Sequence, residues 1–341
     1  MKMRLAFAVL TLAFTALVAC SGTSIPPPGP TPSPGKSPTV TQYGVGITAS
    51  SGPYWIANGP VGDGNLWFTE ATGNRIAKIN PGTTTVTEYS IGITAGSMPQ
   101  EIVAGPDGNL WFTESAGNRI GKITTTGLVT EYTTGITAGS GPFGITVGPD
   151  NNLWFTEYNG NRIGKITTTG NVTEYSAGIS AGSFPRNITA GPDGNLWFTE
   201  STGNRVAKIT TSGGVTEYSA NIPAGAVPDG ITVGPDLNLW FTENGVTAVA
   251  KVTTGGTVTQ YSNGFSSMAG VLGITVGPDK NLWVTEAAGS RLARVTTAGT
   301  VTEFSNGISA SSLPAGIVTG LDNNLWFTQY GANQIAVAVV L

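Results

Sequence analysis

Side chains able to recognise or react with a partner collect in one column of this sequence. The chain repeats itself, and in each copy the residue after the first position of a short β-rich run differs in type: Tyr54, Gln100, Phe143, Arg186, Asp229, Leu272 and Ala315. The residue after that is glycine in four copies, and Trp55, Glu101 and Asn187 in the other three. Where copies otherwise match closely, such divergence suggests positions released from packing. Tyr54, Trp55, Gln100, Glu101, Phe143, Arg186, Asn187 and Asp229 mix aromatic surface with a few polar and charged groups, as ligand sites do. Drift at exposed positions would give the same variety, so what matters is whether these residues converge.

Other chemistry is excluded by what is missing. The chain has no histidine, which removes the commonest general base near neutral pH and the commonest nitrogen ligand for transition metals. Its one cysteine, Cys20, rules out an intrachain disulfide and a thiolate metal cluster. A net charge of −4 leaves no basic footprint for nucleic acid.

Two repeated acidic columns read as scaffold. Glu70, Glu114, Glu157, Glu200 and Glu286 each have an arginine five residues later, at 75, 119, 162, 205 and 291. Such pairs across a short hairpin are expected within one structural unit. Gln329 and Gln334 lose both charges together, whereas Glu243 faces Ala248 and stands as an orphan. Asp63, Asp107, Asp150, Asp193, Asp236, Asp279 and Asp322 lack the closely spaced oxygen partners of a calcium loop, so turn stabilisation is the expected role and no metal site is assigned.

The elements that position these residues follow from the period. Trp67, Trp111, Trp154, Trp197, Trp240, Trp283 and Trp326 recur every 43 residues, with one spacing of 44. One copy reads as four strands: Pro142 to Val147, Leu153 to Glu157, Arg162 to Ile166 and Val172 to Tyr175, each joined by Gly, Asn, Asp or Pro turn chemistry. The continuous apolar run Leu153-Trp154-Phe155 requires cover on both faces, as in a sheet lying between two others. Seven such antiparallel units describe an all-β, seven-bladed β-propeller over residues 39–341, with first strands lining a central channel. The last copy stops after three strands, so Val40-Thr41-Gln42-Tyr43 is expected to supply its fourth and close the ring.

Ahead of the repeats, Lys2 and Arg4 precede an apolar run that ends in Leu17-Val18-Ala19-Cys20. This resembles a bacterial lipoprotein signal over 1–19, with lipidation at Cys20. A proline-rich tether, 20–38, would hold the propeller off a membrane. The implied setting is the bacterial cell envelope, extracytoplasmic and lipid-anchored, with the protein a monomer.

The string Gly-Pro-Asp-Gly-Asn-Leu-Trp-Phe-Thr-Glu at 105–114, followed by Gly-Asn-Arg-Ile-Gly-Lys-Ile at 117–123 and Val-Thr-Glu-Tyr at 129–132, resembles the streptogramin B lyases, also called virginiamycin B lyases. The likeness covers 39–341. It implies a seven-bladed propeller that opens a cyclic depsipeptide by magnesium-assisted elimination, needing a base and a cation for the developing enolate. The enzymes carry Glu-Pro-His-Gly-Ile leading into the last blade, a Glu ending its second strand and a further His one blade earlier. Here those positions read Leu313-Pro314-Ala315-Gly316-Ile317, Gln329 and Leu272, and only Tyr54 matches an aromatic of the first blade. The expectation is therefore a propeller that binds a small molecule, peptide or glycan at its channel mouth without catalysis or cofactor. The alternatives are a carbon-oxygen lyase with a relocated site drawn from Glu101, Asp229, Arg186 or Tyr54 plus magnesium, and a structural surface protein.

Overall fold

A computed structural model describes residues 37–340. The signal sequence 1–19, Cys20 and the tether up to residue 36 lie outside the described residues. The rest forms seven four-stranded antiparallel sheets, each following sequence order except the last. In that sheet β1 (Thr39–Tyr43) pairs with β28 (Gln334–Val339), from Thr39 opposite Val339 to Tyr43 opposite Ile335. The chain's first strand thus completes its last blade, and the ring closes as the repeat count requires.

Each blade is held by one tryptophan. Trp111, fully buried, stacks on Tyr132 at 5.4 Å, and its indole N–H donates to the Asp107 carboxylate at 2.9 Å. The same indole-to-aspartate bond recurs in all seven blades. The turn aspartates therefore anchor the blade spine as well as their own turn. Leu237 and Lys280, which replace the usual Gly or Asn in that turn, still adopt left-handed φ values of 59° and 58°. The turn geometry is imposed by the blade, against the side chain's preference.

The expected Glu-to-Arg pairs form within five blades, and each gains a third member. Each arginine lies between two carboxylates, the second coming from the blade's fourth strand: Arg162 Nε is 2.8 Å from Glu157 and 3.6 Å from Glu174. Burial, together with this second carboxylate, pushes Glu70, Glu114, Glu157, Glu200 and Glu286 up to about 8. Glu243 is not an orphan. Its blade replaces the fourth-strand Glu with Gln260, whose amide donates to the Glu243 carboxyl.

Candidate functional site at the channel mouth

The divergent column sits on a β-bulge. In the third blade Pro142 pairs with Glu157 and Ile145 with Phe155, so Phe143 and Gly144 together oppose the single residue Thr156. The same shift occurs in every blade. An extra residue leaves its neighbours free of the ladder and re-aims their side chains.

The bulge is held by a threonine clasp. The hydroxyl of the second-strand Thr donates to the bulge carbonyl of the following blade at 2.5–2.8 Å, in all seven blades, the last reaching Tyr54 of the first. In six blades the same hydroxyl accepts the bulge N–H of its own blade at 2.8–3.1 Å. Glycine follows the divergent residue for a packing reason: a Cβ at Gly144 would lie 2.5 Å from the Arg186 carbonyl oxygen. These glycines are therefore held by packing.

The bulge sends its two side chains to different places. The first set meets at the mouth. Arg186 Nε donates to Asp229 Oδ1 at 2.8 Å, Nη2 donates to Tyr54 Oη at 3.3 Å, and the guanidinium carbon lies 4.5 Å from the Phe143 ring centre. Tyr54 stands edge-on to Phe143 and to Tyr330, both at 6.2 Å. Burial pushes the Tyr54 phenol up to about 12, even though Arg186 pulls the other way. Burial works to lower the Arg186 guanidinium, but the charge and hydrogen bond of Asp229, together with Tyr54 and Tyr158, outweigh it and hold the group firmly protonated.

The second set points down the channel. Trp55, Glu101 and Asn187 line a cavity of 360 Å3 whose wall includes a ring of seven isoleucines, among them Ile56, Ile145 and Ile231. Glu101 and Asn187 are each 3 % exposed. Asn187 Nδ2 donates to Asp229 Oδ1 at 2.9 Å, which ties the channel wall to the mouth. Burial raises the Glu101 carboxyl well above the usual range, partly offset by the Ile145 N–H that donates to its Oε2 at 3.1 Å.

Seven of the eight residues singled out from the sequence thus converge on one axis. Gln100 does not; its amide donates to the Met98 carbonyl of its own segment at 3.3 Å. Release from packing holds for only half of the set: Gln100, Glu101, Asn187 and Asp229 are buried, whereas Tyr54, Trp55, Phe143 and Arg186 are half-buried. The sequence reading missed Tyr330 and Tyr158. They follow Gln329 and Glu157, where other blades carry Ala, Ser or Asn, and an aromatic at that spot was the available signal.

The positions where the resemblance implies catalytic groups are different in kind. Ala315 and Gln329 are buried, Leu272 is half-buried, and neither polar atom of the Gln329 side chain has a partner. Among the described residues no group of three or more His, Cys, Asp or Glu is placed to hold a metal.

The sequence profile of the virginiamycin B lyase family matches residues 38–263 and 179–340. Virginiamycin B lyase from Staphylococcus aureus is 36 % identical, with a TM-score of 0.81, covering 89 % of this chain and 100 % of that one. A streptogramin B lyase structure is 33 % identical, also at 0.81, covering 89 % and 98 %. The Staphylococcus aureus enzyme is also similar at 36 % identity as a catalytically inactive histidine-to-alanine variant with quinupristin, covering 89 % and 100 % with a TM-score of 0.81. No curated protein matches the chain. From the blade count, the closure and these likenesses, the chain belongs to the virginiamycin B lyase family.

Proposed function

We propose that this propeller is a lipid-anchored binding protein of the bacterial cell envelope, taking a small molecule, peptide or glycan at its channel mouth and not opening streptogramin rings. One observation carries the second part. A histidine-to-alanine variant of the 36 %-identical Staphylococcus aureus enzyme is catalytically inactive, and this chain has no histidine and reads Pro314-Ala315-Gly316 where the resemblance expects one. Losing a general base costs 100-fold or more, about 3 kcal/mol of barrier. Magnesium does not fit either: Leu272, Leu313, Ala315 and Gln329 offer one neutral amide where a hard cation takes carboxylate oxygens. Two candidate bases of the relocated-site alternative are weakened by the same geometry, because Asp229 is engaged by Arg186 and Asn187, and the Tyr54 phenol, raised to about 12, is a poor base near neutral pH.

Binding is supported by the mouth itself. Arg186 is fixed on Phe143 with its side chain 22 % exposed, beside the edges of Tyr54 and Tyr330, a surface suited to a polar ring or peptide group. The lipoprotein-like amino terminus supports the location. Incubating the purified protein with a streptogramin B and magnesium, and following the antibiotic by mass, should give no linear product above blank. Linearised antibiotic would overturn the reading. A thermal-shift screen of peptides and glycans should give a ligand whose shift disappears in Arg186→Met.

A further inference from the structure

The channel below the mouth has polar atoms that nothing in the protein answers. Glu101 Oε1 and Asn187 Oδ1 are buried without a hydrogen-bond partner, and so is Asn58 Oδ1 farther along the same wall. Their other polar atoms are committed: Glu101 Oε2 to the Ile145 N–H, Asn187 Nδ2 to Asp229, and Asn58 Nδ2 to the Thr319 carbonyl. The buried atoms left over in this wall are all oxygens. Leaving such groups unanswered is costly, so they are a standing demand for a donor.

The rest of the wall defines the remainder of the ligand. Glu101 and Asn187 occupy the same bulge position in blades two and four, and Trp55 occupies it in blade one. One acidic group, one amide oxygen and one indole therefore face the axis at a single level. Below them the isoleucine ring offers only methyl and methylene contact, and three residue steps along the strand separate the Trp55 level from Asn58, roughly 10 Å. The Tyr54, Arg186 and Asp229 contacts lie at the mouth end of this wall.

We infer that the channel binds a linear aliphatic ammonium ion, its head on Glu101 Oε1 and Asn187 Oδ1 against the face of Trp55 and its chain along the isoleucines. An ammonium group brings three donors and the positive charge that a carboxylate at this depth lacks, while an indole face attracts cations. The Glu101 carboxyl, driven upward by burial, returns to its charged form when that cation arrives. The inference deepens the binding reading and rests on it in placing a ligand on first-strand side chains.

The test is calorimetric titration of the purified protein with hexylammonium, 1-hexanol and hexanoate. Hexylammonium should bind at least tenfold more tightly than either comparator. Glu101→Gln keeps an acceptor for the Ile145 N–H but removes the charge, and should weaken the amine at least tenfold. Trp55→Leu, in another blade, should weaken it about three- to tenfold, and covers the case in which the Glu101 variant does not fold. No amine binding in the millimolar range, equal binding of hexanol or hexanoate, or an unchanged amine affinity in both variants overturns the inference. A mouth ligand that depends on Arg186 would still leave the broader binding reading intact, so the two fail separately.

Discussion

Replacing Asp229 by leucine should destabilise the propeller by about 3 kcal/mol. Asp229 Oδ1 accepts from Arg186 at 2.8 Å and from Asn187 at 2.9 Å, in a residue only 4 % exposed. A hydrogen bond between charged partners contributes about 1.5–3 kcal/mol and a neutral donor about 1 kcal/mol. The Arg186 side chain is 22 % exposed, so water answers part of the stranded charge and the lower half of the first range applies. The partner change, Arg186→Met, should cost a similar amount, because it leaves a buried carboxylate with only the Asn187 amide. Exchanging both residues for Met and Leu removes both stranded charges, and apolar replacement of an ion pair is often close to neutral. The double variant should therefore be at least about 2 kcal/mol more stable than the sum of the single changes predicts. Urea unfolding followed by tryptophan fluorescence gives all four corners of the cycle. If the single costs add to within about 0.5 kcal/mol, the coupling is absent and the account of the mouth as one electrostatic unit is wrong.

Three further outcomes follow from the scaffold. The six second-strand carboxyls are raised in the folded state, to about 8 or, for Glu243, about 7. The folded state thus holds more protons than the unfolded one, and stability should fall as pH rises from about 4.5 to 8 and level off above. Glu243→Gln should be neutral at pH 5 and stabilising by on the order of 1–3 kcal/mol at pH 9, and a melting curve unaffected by pH would contradict this. Leu237→Asn, at a position 68 % exposed with φ 59°, should gain about 0.5–1 kcal/mol by relieving left-handed strain, read as a higher urea midpoint. Deleting residues 39–44 strips β28 of its partner and Trp326 of the Tyr43 ring stacked on it at 5.9 Å, and should lower Tm by more than about 10 °C; an unchanged Tm would refute closure by β1.

The architecture was legible because its determinants are local and repeated. The spacing of Trp67 to Trp326 counts the blades, and the truncated last copy calls for Val40 to Tyr43. The convergence of the candidate residues was legible, since seven of eight meet on one axis, but their arrangement was not. Positions read as released from packing proved buried at Gln100, Glu101, Asn187 and Asp229, because a bulge, invisible in residue type, turns side chains such as Glu101 and Asn187 inward. Gln100 shares the register of Phe143 and Arg186 yet folds back on Met98, a choice that no spacing encodes. The Glu157 to Arg162 spacing found one partner and missed Glu174, which lies across a second hairpin. Gln260 shows the same limit, since its meaning appears only beside Glu243.

The threonine clasp has an evolutionary reading. Thr69, Thr113, Thr156, Thr199, Thr242, Thr285 and Thr328 fasten the bulge through main-chain carbonyls, so the backbone at the mouth is set without reference to the residue that occupies it. Each blade then presents an interchangeable socket. Tyr, Gln, Phe, Arg, Asp, Leu and Ala have all been accommodated in equivalent sockets, with the same hydroxyl bonding to the carbonyl of each. A lineage built this way can abandon one chemistry and acquire another by exchanging a few side chains, while the ring that carries them keeps its shape.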